Sequence, residues 1–227
     1  MNRTDKKVRA AVVLMASGFG KRYGSNKLLE TLEGKPLFTY GVEQALGSGA
    51  DRVIVVTRFP EIQDYVCRRM QERKNLCLHG QAEKTMKKDY VQIVWNPHPQ
   101  RGISESLKLG LRAAEDCDGC CFMVCDQPLL KKSTVKALLN KFREDPRYIY
   151  LCQGKKGRGN PVLFPAEYYK ALFLLEGDQG GKQVLKKYPE QIRTLTITDD
   201  MELEDMDAVE DRLVLEDRLR TKLRESI

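Results

Sequence analysis

Residues 11–27, AVVLMASGFGKRYGSNK, constrain the fold more than any other stretch of the chain. The apolar run from Ala11 to Leu14 suits a buried strand, and it leads into a loop that carries Gly18, Gly20 and Gly24 together with Lys21, Arg22 and Lys27. Glycines let backbone N–H groups approach an anion closely, and the three cations can then neutralise it. The segment therefore reads as a polyphosphate cradle, with a nucleoside triphosphate as its natural occupant. A plain strand-to-helix turn with solvated lysines is the alternative that this loop alone leaves open.

Two commoner glycine loops fail on specific residues. A P-loop needs Gly-Lys followed by Ser or Thr for the Mg2+ ion, but Gly20-Lys21 is followed by Arg22. In the dinucleotide-binding fingerprint Gly18 and Gly20 fit the first two glycines, but the third falls on Tyr23, and the loop holds more cations than a pyrophosphate on a helix N-terminus requires.

Beyond this loop, β-rich apolar segments alternate with helical patterns. Strands are predicted at Val12–Met15, Val53–Thr57, Val91–Trp95, Cys120–Cys125, Tyr148–Cys152, Val162–Phe164 and Arg193–Ile197. Helices are predicted at Pro36–Leu46, Pro60–Arg73, Ser104–Ala114, Thr134–Phe142, Ala166–Leu174 and Lys182–Lys187. This is the rhythm of a three-layer α/β fold, a mostly parallel sheet with helices on both faces. Residues 74–90 show no clean period and read as a flexible excursion, and the leucines after Val209 read as an amphipathic helix or a contact to a second subunit. With no repeats and no linker, residues 1–227 are expected to form one domain with a helical tail from about 208. A monomer or weak dimer is expected.

Composition narrows the chemistry. The N-terminus MNRTDKKVRA is charged where a secretory signal would turn apolar, and no run is long enough to span a membrane, so a cytoplasmic protein with no membrane partner is expected. Seven cysteines, an odd number spread through strands and helices, suit reduced thiols. Cys117-x-x-Cys120 lacks the second pair or histidine that would complete a tetrahedral metal site. His79 and His98 are too few and too isolated to imply a zinc site or a triad, and they read as surface or loop residues. The net charge of +7 gathers at Lys84–Lys88, Lys155–Arg158 and the C-terminal tail, without the interleaved aromatics or reading helix of a nucleic-acid binder. No nucleic-acid partner is expected; a small, highly anionic substrate suits such a field.

Two acidic loops complete the pattern. Asp126-Gln127-Pro128 follows the strand ending at Cys125, and Asp205-Met206-Asp207 follows the last predicted strand. Mg2+ prefers one or two protein carboxylates, with phosphate oxygens and water filling its octahedron, so aspartates from distant loops can clamp a triphosphate. Taken singly, Asp126 also reads as a turn residue and the acidic run 199–211 as a solvated face. Gly157-Arg158-Gly159-Asn160-Pro161 and Glu176-Gly177-Asp178-Gln179-Gly180-Gly181-Lys182 read as glycine-rich loops facing a second ligand, or as plain turns.

The ordered motifs Leu14-Met15-Ala16-Ser17-Gly18-Phe19-Gly20-Lys21-Arg22, Asn26-Lys27-Leu28-Leu29, Gly34-Lys35-Pro36-Leu37, Cys125-Asp126-Gln127-Pro128-Leu129, Gly159-Asn160-Pro161-Val162-Leu163-Phe164, Gly177-Asp178-Gln179-Gly180-Gly181 and Asp205-Met206-Asp207 resemble the molybdenum cofactor nucleotidyltransferases, above all their cytidylyltransferase branch. The resemblance implies a Rossmann-like nucleotidyltransferase fold of the nucleotide-diphospho-sugar transferase type. It also implies an Mg2+-dependent enzyme that joins CTP and molybdopterin into a dinucleotide cofactor and pyrophosphate, with a molybdenum hydroxylase apoenzyme as a candidate recipient. On that basis Ala16, Ser17, Gly18, Gly20, Lys21, Arg22, Lys27 and Ser104 bind the nucleotide, with Lys27 on the α-phosphate. Lys27, Arg22 and Asp126 are catalytic, Asp126 and Asp207 hold Mg2+, and Gly159, Asn160, Asp178, Gly180 and Gly181 bind the pterin. Transfer to a sugar or polyol phosphate, and a non-catalytic cofactor carrier, remain the competing readings. Where the family commonly has Ala-Ala-Gly and Thr-Pro, this chain has Ala16-Ser17-Gly18 and Ala208-Val209.

Overall fold

A computed structural model describes residues 7–18, 26–78, 90–207 and 209–225. The main sheet contains β1 (Ala10–Ala16), β4 (Arg52–Thr57), β5 (Val91–Trp95), β6 (Gly119–Val124), β7 (Ile149–Gly154), β8 (Gly157–Pro165) and β9 (Ile192–Thr196), in the order β5-β4-β1-β6-β8-β7-β9. A separate small hairpin pairs β2 (Thr31–Leu32) with β3 (Lys35–Pro36). The helices are α1 (Leu37–Leu46), α2 (Pro60–Leu78), α3 (Ile103–Ala113), α4 (Lys132–Glu144), α5 (Tyr169–Phe173), α6 (Lys182–Lys187) and α7 (Val209–Glu225).

The central strands are apolar throughout because both of their faces are covered. In β1, Ala10, Val12, Leu14 and Ala16 point to one core with Val42 of α1, Ile62 of α2, Leu138 of α4 and Leu215 of α7. Ala11 and Val13 point to the other, with Leu107 and Leu111 of α3 and Leu172 of α5. Each such leucine contributes about 1.5–3 kcal/mol by leaving water. Gly110 marks the closest approach of α3 to the sheet, since a Cβ there would lie 2.3 Å from Val13 Cγ1.

The three-layer α/β expectation holds, and the strands fall within a residue or two of their predicted places, with three corrections. Residues 157–161 are not a loop: they open β8, which runs antiparallel to both β6 and β7 through a tight turn at Lys155-Lys156. The second predicted loop does lie outside regular structure until α6 begins at Lys182. Helix α2 continues past Arg73 to Leu78, beyond the point where its apolar period fades. Pro36 is the N-cap of α1 rather than its first-turn residue. His79 and Lys84–Lys88 lie outside the described residues.

Cys117, Cys120, Cys121, Cys125 and Cys152 are free and buried. Burial pushes the Cys120 thiol well up, which opposes a reactive dithiol with Cys117. Among the described residues no helix is long and apolar enough to cross a membrane.

Asp51 fastens the start of β1 to α4. Its side chain, 6% exposed, accepts from Arg143 Nη2 at 2.9 Å and from the backbone N–H of Ala10 at 3.1 Å. Burial alone would raise its pKa, but these donors together hold it below the usual carboxylate value. An acid with a depressed folded pKa stabilises the fold above its unfolded value, about 3.9, and loses that contribution as pH falls through the folded value. Asp51→Asn is therefore expected to cost about 1–3 kcal/mol near neutral pH. The gap between variant and wild type in urea melts should narrow at pH 3.

Candidate active site

Strand order reverses between β1 and β6: β4 and β5 extend the sheet from one side of β1, and β6 and its successors from the other. In open α/β sheets ligands lie beyond the carboxyl ends of the strands at such a switch point. Both elements that flank it here carry predicted site residues. Lys27 opens a short 3-10 helix after β1, anchored by buried Leu28, and Asp126 follows β6.

Lys27 Nζ lies 2.7 Å from Asp126 Oδ2 and 2.8 Å from Asp207 Oδ1, so one ammonium joins carboxylates far apart in sequence. Burial works against the charge on Lys27, but Asp126 and Asp207 outweigh it and raise the lysine pKa. The surrounding backbone is held from three directions. Met206 N–H donates to the Asp126 carbonyl at 2.9 Å. Gln44 Nε2 donates to the carbonyls of Gln127 and Pro128, both at 3.2 Å, and Gln127 Nε2 donates to Leu203 O at 2.9 Å.

The donor set suits a hard divalent cation. Asp126 Oδ1 is buried and has no partner, the state of an oxygen kept for a cation. Partial desolvation and the neighbouring charges of Asp126 and Asp207 push Asp205 up to about 6. Because Asp205 keeps contact with solvent, the like charges are the firmer cause. Among the described residues no group of three or more His, Cys, Asp or Glu forms a closed metal site. An open site with two protein carboxylates leaves the remaining positions to phosphate oxygens and water, as Mg2+ prefers.

Ala16 ends β1, fully buried. Ser17 follows, and its hydroxyl donates to Val56 O at 3.0 Å, so this serine braces β1 against β4 rather than offering its hydroxyl to a ligand. Gly18 has open space where a Cβ would stand. Gly20, Lys21 and Arg22 lie outside the described residues.

The second half contributes two groups. Ser104, in the first turn of α3, donates its backbone N–H to Gly177 O at 3.1 Å, so the 176–181 loop meets the N-terminus of α3. Gly102, at φ +86°, makes room for that contact, since a Cβ there would lie 2.4 Å from Gly177 and 2.6 Å from Asp178 Oδ1. Gly180 borders Ile103, and Gly181 packs against Phe164. Gly159 and Asn160 belong instead to β8: Val162 pairs with Phe122, which puts residues 159–160 level with the carboxyl end of β6 and Asp126. Ser104, Asp178, Gly180 and Gly181 thus form one cluster, and Gly159 and Asn160 lie on the β6 side with Leu203 against Gly159.

Sequence reasoning missed the supports. Asn96 follows β5, accepts from the His98 N–H at 3.0 Å and donates to Ser106 Oγ at 3.1 Å, shaping the turn before α3. Gln44 carried only the faint signal of a polar residue on an apolar helix face.

Comparison with known proteins bears on the family and the fold. The chain is 26% identical over 208 residues to the purine catabolism protein PucB of Bacillus subtilis (strain 168), covering 88% of this chain and 92% of that protein. Among solved structures, Rv0371c from Mycobacterium tuberculosis H37Rv has a similar fold, with a TM-score of 0.69, 19% identity and coverage of 93% of this chain and 100% of that one. A structure of Rv0371c in complex with manganese aligns with a TM-score of 0.63 at 17% identity, over 92% of this chain and 98% of that one. Molybdopterin-guanine dinucleotide biosynthesis protein A from Archaeoglobus fulgidus aligns with a TM-score of 0.63 at 15% identity, over 93% and 99% of the two chains. The family described as the MobA-like NTP transferase domain matches residues 12–192, from β1 to the first residue of β9 and including Lys27 and Asp126, and the chain belongs to that family as a nucleotidyltransferase of the MobA-like type.

Proposed function

We propose that the protein transfers CMP from CTP to the terminal phosphate of molybdopterin, giving molybdopterin cytosine dinucleotide and pyrophosphate. The observation that carries the transfer chemistry is Lys27 held between Asp126 and Asp207 at the switch point of the sheet. Support for a cytosine nucleotide and a pterin acceptor comes from the Gly34-Lys35-Pro36-Leu37, Asp126-Gln127-Pro128-Leu129 and Gly159-Asn160-Pro161 motifs.

Nucleotidyl transfer asks for charge neutralisation and in-line placement more than for proton transfer. The acceptor phosphate monoester is already anionic near neutral pH, since its second pKa is about 6, and no general base is needed. Its oxygen attacks the α-phosphorus as the bond to the β-phosphate breaks. On this reading Ala16, Ser17, Gly18, Gly20, Lys21, Arg22 and Ser104 bind the nucleotide, and the pterin meets Gly159 and Asn160 on the β6 side and Asp178, Gly180 and Gly181 beside Ser104. Lys27 leaves its carboxylate partners for the α-phosphate oxygens, where charge grows in the transition state. Asp126 and Asp207 would hold Mg2+, which neutralises triphosphate oxygens when bound.

Pyrophosphate release measured with Mg2+, molybdopterin and each of CTP, GTP, ATP and UTP tests this function. Release with CTP and pterin together, and with neither alone, is the expected result. Turnover confined to GTP would overturn the base assignment, and turnover confined to sugar or polyol phosphates would overturn the acceptor. Binding of the pterin without turnover on any triphosphate would make the protein a carrier for a molybdenum hydroxylase.

A further inference from the structure

Glu202 is a buried carboxylate, 3% exposed, and nothing in the transfer chemistry uses it. Its partners lie on α4 and the residue before it. Oε1 accepts from Lys131 Nζ at 2.7 Å, and Oε2 accepts from the Lys131 N–H at 3.3 Å and from Thr134 Oγ1 at 2.5 Å. Helix α4 has no capping side chain of its own at Lys131, so Glu202 supplies the cap from a distant part of the sequence and sets a negative charge at the positive end of the helix.

Two short segments run from this anchor to the paired aspartates. One leads back from Lys131 through buried Leu130, Leu129 and Gln127 to Asp126, and the other leads forward from Glu202 through buried Met206 to Asp207. Two hydrogen bonds join them along the way, Gln127 Nε2 to Leu203 O and Met206 N–H to Asp126 O, both at 2.9 Å. The two segments therefore behave as the rails of a ladder whose far end holds the two carboxylates and whose near end is closed by Glu202. Glu202 thus ties down the end of the Asp207 rail that lies farthest from Asp126.

We propose that Glu202 is a positioning residue of the metal site, setting the span between Asp126 and Asp207 by locking the segment that carries Asp207 onto the start of α4. The proposal rests on the reading that these two aspartates hold a divalent cation. Groups that orient ligands from behind commonly change metal affinity by about 10–100-fold when removed.

The test is Mn2+ binding to the full chain with CTP and no pterin, read from water-proton relaxation against a protein-free blank of the same Mn2+ and CTP so that metal held by CTP in solution is subtracted, beside thermal melting and CTP binding in EDTA. Glu202→Ala is expected to raise the Mn2+ dissociation constant about tenfold or more. Thr134→Val, which removes one hydroxyl at constant volume and reports even where Glu202→Ala fails to fold, should raise it severalfold. CTP binding in EDTA should stay unchanged in both. A lower melting temperature with Mn2+ affinity within about twofold of wild type in both variants would overturn the proposal and leave Glu202 a helix cap. Asp126→Asn separates this failure from that of the metal reading: if it leaves Mn2+ binding intact, or if the wild type binds none, the metal reading falls and takes the proposal with it.

Discussion

Asp126→Asn is expected to lower kcat for pyrophosphate release about a thousandfold while leaving the fold intact. Asparagine keeps the shape of the side chain and the 2.9 Å bond from Met206 N–H to the residue's carbonyl, so the loop holds its course. What disappears is the negative charge and one of the two carboxylate oxygens, so the residue can no longer offer one oxygen to Lys27 and the other, which has no other partner, to a divalent ion. The variant also frees Lys27 from one of its two anchors. Unchanged melting with turnover near zero, not restored by excess Mg2+ or Mn2+, is the expected pattern. Turnover within a few fold of wild type would remove Asp126 from the metal site.

Lys27→Met is expected to lower kcat about 100–1000-fold, with a much smaller change in the KM for the triphosphate. The lysine's service to the reaction lies in the charge that grows on the α-phosphate in the transition state, so its loss falls on turnover. An equal loss in kcat and in binding would make it an ordinary binding residue. A second effect separates this lysine from the loop cations. Its ammonium lies between Asp126 and Asp207, the two carboxylates that would hold a metal ion. Removing it leaves Asp126, Asp205 and Asp207 without that counter-charge, so Mn2+ binding in the absence of nucleotide should tighten about tenfold. Isothermal titration with Mn2+ alone checks this. Weaker Mn2+ binding in the variant would show that the lysine supports the metal site instead of competing with the ion for it.

Uniform burial made the central strands legible in the sequence. β1, β4 and β6 are covered on both faces, so each reads as an unbroken apolar run, and β5 matched its predicted limits. α2 was cut short because residues after Arg73 lose the apolar period that marked its first part. The direction of β8 was missed because Lys155-Lys156 was read as part of a basic cluster. Flanked by Gly154 and Gly157, the latter at φ +141°, the same two residues form the turn that sends β8 antiparallel and carries Gly159 and Asn160 to the carboxyl end of β6. The hairpin at residues 31–36 turns on Glu33 and Gly34, both at positive φ, and was absorbed into a motif instead.

The sequence alone determined the α/β layering, and it pointed to the glycine loop after the first strand and to Lys27 and Asp126 as the residues proposed for the chemistry. Those features are local, written in apolar runs, glycine positions and the proline that stops a strand. Only the tertiary structure decided that Lys27 bridges Asp126 and Asp207, that the Ser17 hydroxyl is spent on Val56, that Gln44 holds the carbonyls of Gln127 and Pro128, and that Glu202 accepts from Lys131 and Thr134. Each of those contacts joins residues far apart in the chain, and a side chain's partner across the sheet is set by strand order and register, which periodicity within one segment does not encode.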